Sequence, residues 1–185
     1  MKPPAQALRR AALTLALTGA AALSVTAASA ATGSPAAPRP ATPACHTSQL
    51  RVWIGLPGDG AAGSVFYELQ LSNVSSATCS LFGFPGVSAI TSGGHQLGKA
   101  AGRDHSFPAT TQVLAPGVTA HAVLRITDPG AIGCPTATAS GLKVFPPNTT
   151  TAAIVPFRFL TCTGANRNLT IRVVRHGAGI PGYSQ

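Results

Sequence analysis

The chain has 185 residues, of which 13 are Lys or Arg and only 4 are Asp or Glu, giving a formal charge of +9. Charged residues make up 9% of the chain, against roughly a quarter in an average soluble domain. So few carboxylates argue against most hydrolase chemistry, and 20 Gly with 16 Pro disfavour long uninterrupted helices.

The first element is a leader. Lys2, Arg9 and Arg10 precede an apolar run from Ala11 to about Ala28, and Ala28-Ser29-Ala30 is a small-residue cleavage site. Residues 1–30 therefore read as a signal peptide cleaved after Ala30, which makes the protein secreted. The run is Ala-rich, broken by Thr and Ser, and followed by Pro-rich sequence, so a membrane anchor is the weaker reading and the mature chain should carry no integral span. Without the leader the charge is +6, from ten basic and four acidic residues. Residues 31–43 are a Pro/Ala-rich disordered tail, unable to bury enough surface to order itself. A single domain is expected over 44–176, with a flexible tail at 177–185.

Within the domain the apolar period is two, which is the strand period. Leu50, Val52, Ile54 and Leu56 face one way, with Arg51 and Trp53 opposite. Val65, Tyr67, Leu69 and Leu71 face in, and Glu68, Gln70 and Ser72 face out. Gly86–Thr91 and Thr110–Leu114 are shorter strands. Ala120, Ala122, Leu124 and Ile126 alternate with His121, Val123 and Arg125. Leu142–Phe145 and Thr151–Phe159 follow, the latter an edge or bulged strand because of Pro156. Leu169, Ile171 and Val173 alternate with Thr170 and Arg172. Turn sequences stand between them, at 57–60, 92–94, 115–117, 128–130 and 146–148. About eight short, evenly punctuated strands predict an all-β fold, an antiparallel sandwich of immunoglobulin-like architecture, with a closed barrel as the alternative.

Several of these stretches also carry a resemblance. Cys45, AAGSVFYELQLSN at 61–73, CSLFGFPGV at 79–87, LAPG at 114–117, Cys134-Pro135 and GLKVFPP at 141–147 come in an order that resembles a secreted actinobacterial family known only as domain of unknown function 4232. The resemblance implies a small exported β-sandwich with paired cysteines, and no activity.

The four cysteines contain no C-x-x-C and, in an exported domain, read as two disulfides. If Leu50–Leu56 pairs with Val65–Asn73, Cys45 and Cys79 are equidistant from the turn. Cys134 and Cys162 are likewise equidistant from Pro147-Asn148. The expected bridges are Cys45–Cys79 and Cys134–Cys162. The histidines (His46, His95, His105, His121 and His176) show no metal-ligand spacing, and no phosphate-binding loop is present, so neither a metal nor a cofactor is expected. Asp104, His105 and Ser106 spell a triad on paper, but consecutive extended residues point to opposite sides. No catalytic residue is expected, and the protein reads as a non-enzyme. Phe82 and Phe84, around Gly83, read as core beneath a turn, and the sequons at Asn73, Asn148 and Asn168 read as chance.

Basic residues at outward strand positions (Arg51, Arg125, Lys143, Arg158 and Arg172) outnumber the one outward acid, Glu68. The candidate binding surface is Arg51, Trp53, Arg125 and Arg172. Its expected partner is an anionic cell-envelope polymer or a secreted protein, with no specific nucleic acid. The alternative is an inhibitor of extracellular proteases, presenting the disulfide-stiffened loop around Cys134.

Overall fold

Side chains two residues apart share a strand face, and the structure, a computed structural model describing residues 41–179, places the expected alternating runs in strands. The leader, the tail through residue 40 and residues 180–185 lie outside the described residues. In chain order the strands are β1 (Leu50–Ala61), β2 (Ser64–Asn73), β3 (Cys79–Leu81), β4 (Gly86–Ile90), β5 (Gln96–Leu97), β6 (Gly102–Asp104), β7 (Gln112–Leu114), β8 (Thr119–Thr127), β9 (Thr136–Phe145), β10 (Ala153–Cys162), β11 (Leu169–Arg172) and β12 (Arg175–His176). One helical turn, α1 (Pro129–Ile132), precedes β9.

The larger sheet runs β1-β2-β8-β11-β6, with β12 also paired to β8. The smaller runs β10-β9-β4-β5, and β3 pairs with β7 alone. Pairing is antiparallel throughout except between β11 and β6, which run parallel. Leu69 and Leu71 on β2, Leu124 on β8 and Ile171 on β11 meet Val87 on β4 with Leu142 and Val144 on β9 in one buried core. Burying each such side chain contributes about 2 kcal/mol. The fold is the expected β-sandwich, and among the described residues both sheets end in unpaired edges instead of closing into a barrel.

Both expected disulfides are present, Cys45–Cys79 with Cα atoms 4.8 Å apart and Cys134–Cys162 at 5.6 Å. Each closes a loop of about 30 residues and contributes about 3–4 kcal/mol in the chain-entropy account. β10 lies at a sheet edge, and its register shifts between Pro156 and Phe159, because proline cannot donate to the ladder.

Four local expectations are corrected. The β1–β2 turn falls at Ala62-Gly63, not at 57–60, and the 57–60 segment sits in a bulge where the register shifts between Gly55 and Asp59. That bulge carries Leu56 out to 66% exposure instead of into the core. The segment after Asp128 is α1 and not a simple turn, because Asp128 caps it by accepting from Gly130 N–H, with Pro129 at the first helical position. Phe82 is half exposed and not core.

The fourth correction matters most for function. Glu68, Gln70 and Val123 stand on the outer face as expected, yet they are buried. Residues 177–179 cross that face: β12 continues the β11 edge beside β8 in the plane of the sheet, opposite His121 and Ala120, and the chain after it turns over β8 and β2, with the Ala178 carbonyl on Gln70 and Gly179 against Glu68 and His121. Read from the sequence as tail, these last residues cover the sheet.

Candidate anion-binding surface

The parallel pairing of β6 with β11 sets Gly102 beside Thr170 and Asp104 beside Arg172. Arg172 Nε donates to Asp104 Oδ2 at 3.2 Å. The Ser106 N–H donates to Asp104 Oδ1 at 3.0 Å, and the Ser106 hydroxyl donates to the same oxygen. These contacts, led by the Ser106 hydroxyl and joined by Arg172, hold the Asp104 carboxyl below its ordinary value. They also bend the chain after β6, so that His105 packs on Phe84 and Phe107 comes beneath two guanidinium groups.

Arg175 sits 4.6 Å and Arg172 5.4 Å from the Phe107 ring centre, and Arg103 lies 5.7 Å from that of Phe84. Arg125 Nε donates to Thr170 Oγ1 at 3.1 Å, and Arg167 Nε donates to the Ala100 carbonyl at 2.8 Å. Arg167 also packs on Gly102, at the start of β6. Arg125, Arg167, Arg172 and Arg175 thus share the outer face of one sheet margin with one ion-paired carboxylate, Asp104, while Arg103, in register with buried Ile171, leaves the same edge strand on the other face. A guanidinium on an aromatic face is held at a cost of little entropy, worth about 0.5–1 kcal/mol at exposed sites, and keeps N–H donors free in its plane for an oxyanion.

Of the four residues singled out from sequence, Arg125 and Arg172 belong to this margin and Arg51 and Trp53 do not. Arg51 and Trp53 are exposed on β1, where Trp53 Nε1 donates to Ser72 Oγ at 3.4 Å. Three strand spacings, about 14 Å, separate β1 from β11, and residues 177–179 cross the face between them. Arg103, Arg167 and Arg175 escaped the alternation argument because β6 and β12 are only three and two residues long and Arg167 precedes β11. Arg167, Arg172 and Arg175 falling within nine residues was the signal available.

The covering segment makes a second, tighter site. Gln70 Nε2 donates to the Ala178 carbonyl, and His121 Nδ1 lies 2.8 Å from the Gly177 carbonyl oxygen. Among the described residues, the buried Glu68 Oε2 and Gln70 Oε1 have no hydrogen-bond partner. Burial pushes the Glu68 carboxyl above its ordinary value, against the pull of His121 and Arg172.

A cleft of about 540 Å³ lies elsewhere, between the β1–β2 turn, α1 and β10, lined by Tyr67, Ile126, Asp128, Phe159 and Leu160 among others. Its carboxylate, Asp128, is engaged as the α1 cap. The paper triad is not assembled, since Ser106 bonds Asp104 directly while His105 turns onto Phe84. Among the described residues no three His, Cys, Asp or Glu side chains gather as a metal site. None of their helices is long and apolar enough to cross a membrane.

A family model described as Domain of unknown function (DUF4232) matches residues 45–175. The chain belongs to this family. No curated protein and no solved structure matches it. The DUF4232 match runs from the first cysteine to the first residue of β12, so it takes in both disulfides and the whole arginine margin. It stops short of residues 176–179.

Proposed function

We propose that the protein is an exported, non-catalytic module that holds an anionic polymer of the cell envelope along the β6–β11–β12 margin. The observation that carries this reading is the grouping of Arg125, Arg167, Arg172 and Arg175 on the outer face of this margin, with Arg103 on the other face of its edge strand and Asp104 as the one ion-paired carboxylate. Elsewhere Asp59 and Asp128 stand near the β1–β2 turn and α1, and Glu68 is buried. Two disulfides support an oxidising, exported setting. A row of guanidinium groups along a sheet margin suits a repeating polyanion, attracted by summed field and by counterion release.

The protease-inhibitor alternative gains nothing from the geometry. The loop before Cys134 is the α1 turn, and Thr136 onward is paired in β9, so neither stretch offers a free extended segment.

The test is chromatography on heparin and on an anionic wall-polymer matrix. The protein is expected to be retained at low salt and to elute at moderate salt. Replacing Arg103, Arg167 and Arg175 by Ser should lower the eluting salt far more than Arg51→Ser. Flow-through of the wild-type protein at low salt would overturn the reading.

A further inference from the structure

The segment 177–179 is a strap whose seat contains two titratable groups face to face. A carbonyl can only accept a hydrogen bond, so His121 Nδ1, 2.8 Å from the Gly177 oxygen, carries a hydrogen. In a neutral ring Nε2 is then a bare acceptor. It stands 3.7 Å from Glu68 Oε2, an oxygen with no hydrogen-bond partner among the described residues. An ionised Glu68 facing that nitrogen leaves two lone pairs opposed beneath a cover. One added proton, on either atom, converts the contact into an ion pair or a hydrogen bond.

Gly179 presses the cover shut. A Cβ there would come 2.7 Å from Glu68 Cδ and 3.0 Å from His121 Cδ2, so the seated strap leaves the pair little space for any partner larger than a proton. We propose that the strap is a proton-operated cover: it seats while Glu68 and His121 share one proton beyond that on Nδ1, and loosens when that proton leaves. Loosening uncovers Glu68 and Gln70 beside Trp53 on the outer face of the larger sheet.

The charges around the pair set its balance. Arg172 faces it from β11 and favours the carboxylate, while burial opposes the carboxylate. Asp104, from β6, is engaged by Arg172. β12 contributes Arg175 opposite His121, followed by His176. β1 places only uncharged Gly55 and Trp53 opposite Glu68 and Gln70. The group raised by burial has the sign of one whose stabilising effect holds at low pH and is lost as pH rises through its folded value. The proposal does not depend on polyanion binding.

Amide hydrogen exchange on the full chain, corrected for intrinsic base catalysis, tests it at the Gly177 N–H, which donates to the Thr119 carbonyl at 2.9 Å. Between pH 5 and 9 its protection should fall by about tenfold. In Glu68→Gln, whose amide can donate to Nε2 at every pH, protection should stay level. Constant protection in the wild type, or the same fall in both proteins, would overturn the proposal. Nitrogen NMR of the His121 ring reads the same point without a variant. The expected tautomer has hydrogen on Nδ1, with Nε2 shifting in step with the exchange profile. An Nε2–H tautomer at neutral pH would overturn the proposal as well.

Discussion

Asn73 and Glu68 are both polar side chains buried on β2, and they are treated in opposite ways. Asn73 Nδ2 donates to the Ala77 and Leu114 carbonyls at 2.8 and 2.9 Å, and its Oδ1 accepts from the Ser75 N–H and hydroxyl at 3.0 and 2.8 Å. Every donor and acceptor of that amide is used. Asn168 repeats the solution, accepting from Thr161 Oγ1 and Cys162 N–H and donating to the Thr127 carbonyl. Glu68 and Gln70, five and three residues before Asn73, each leave an oxygen unpaired among the described residues. A closed network fixes loops onto strands and has nothing left to exchange. An open one is a place where a proton or a partner changes the energy, since an unmade buried hydrogen bond costs more than a made one contributes.

The contrast is broken most directly at Asn73. Asn73→Leu strands two carbonyls and the Ser75 N–H, and should cost about 3 kcal/mol in urea unfolding. A cost below about 1 kcal/mol would remove the distinction between the two sites. Glu68→Gln should be smaller and conditional on pH. Because the Glu68 carboxyl is raised in the folded protein, its stabilising contribution is complete at acidic pH and declines as pH climbs through the folded value. The variant should therefore match the wild type near pH 5 and exceed it by about 1 kcal/mol near pH 9. Gln70→Leu removes an unpaired oxygen along with the bond to Ala178, so urea midpoints should move by less than about 1 kcal/mol either way. The smallest effect belongs to Asp104, whose lowered carboxyl has the reverse sign: its contribution is present above the ordinary Asp value and lost as pH falls through the folded one. Asp104→Asn should flatten the acid side of the stability profile and leave the alkaline side unchanged.

How much of this could be read from the residues depended on length and on what lies outside a strand. Runs such as Val65–Asn73 and Ala120–Ile126 are long enough for a two-residue period to declare both the strand and its inner face. Symmetry about two turns then placed both disulfides. β5, β6 and β12 have two or three residues, too few for any period to register. The alternation also names the outer face without saying whether it stays wet. Glu68, Gln70 and Val123 look solvated until a segment some fifty or more residues away folds over them, and no local pattern announces that. Leu56 failed for the opposite reason. Its alternation is intact, but the 57–60 bulge turns it out, with Gly58 lying so close to the Tyr67 ring that no Cβ fits. For the surface, Arg125 and Arg172 were visible as outward strand positions. Their partners on β6 and β12 were hidden by the shortness of those strands.

The Cys45–Cys79 bridge has a consequence for how the domain bears load. Just before it, Ser80 N–H donates to the Pro43 carbonyl and Cys45 N–H to that of Ser80, so the entering chain is stitched to β3. A pull on residue 42 enters the fold through these bonds and then through the covalent sulfur link. It bypasses β1 and β2, whose whole span lies inside the closed 34-residue loop. Tension from that end cannot unzip the β1–β2 hairpin or spool out its length while the bridge is intact. Reducing the bridge would put β1, an edge strand, first in line to peel. A module held at that end in a moving envelope would keep its sheet, and the arginine margin on the sheet's opposite side, in register under strain.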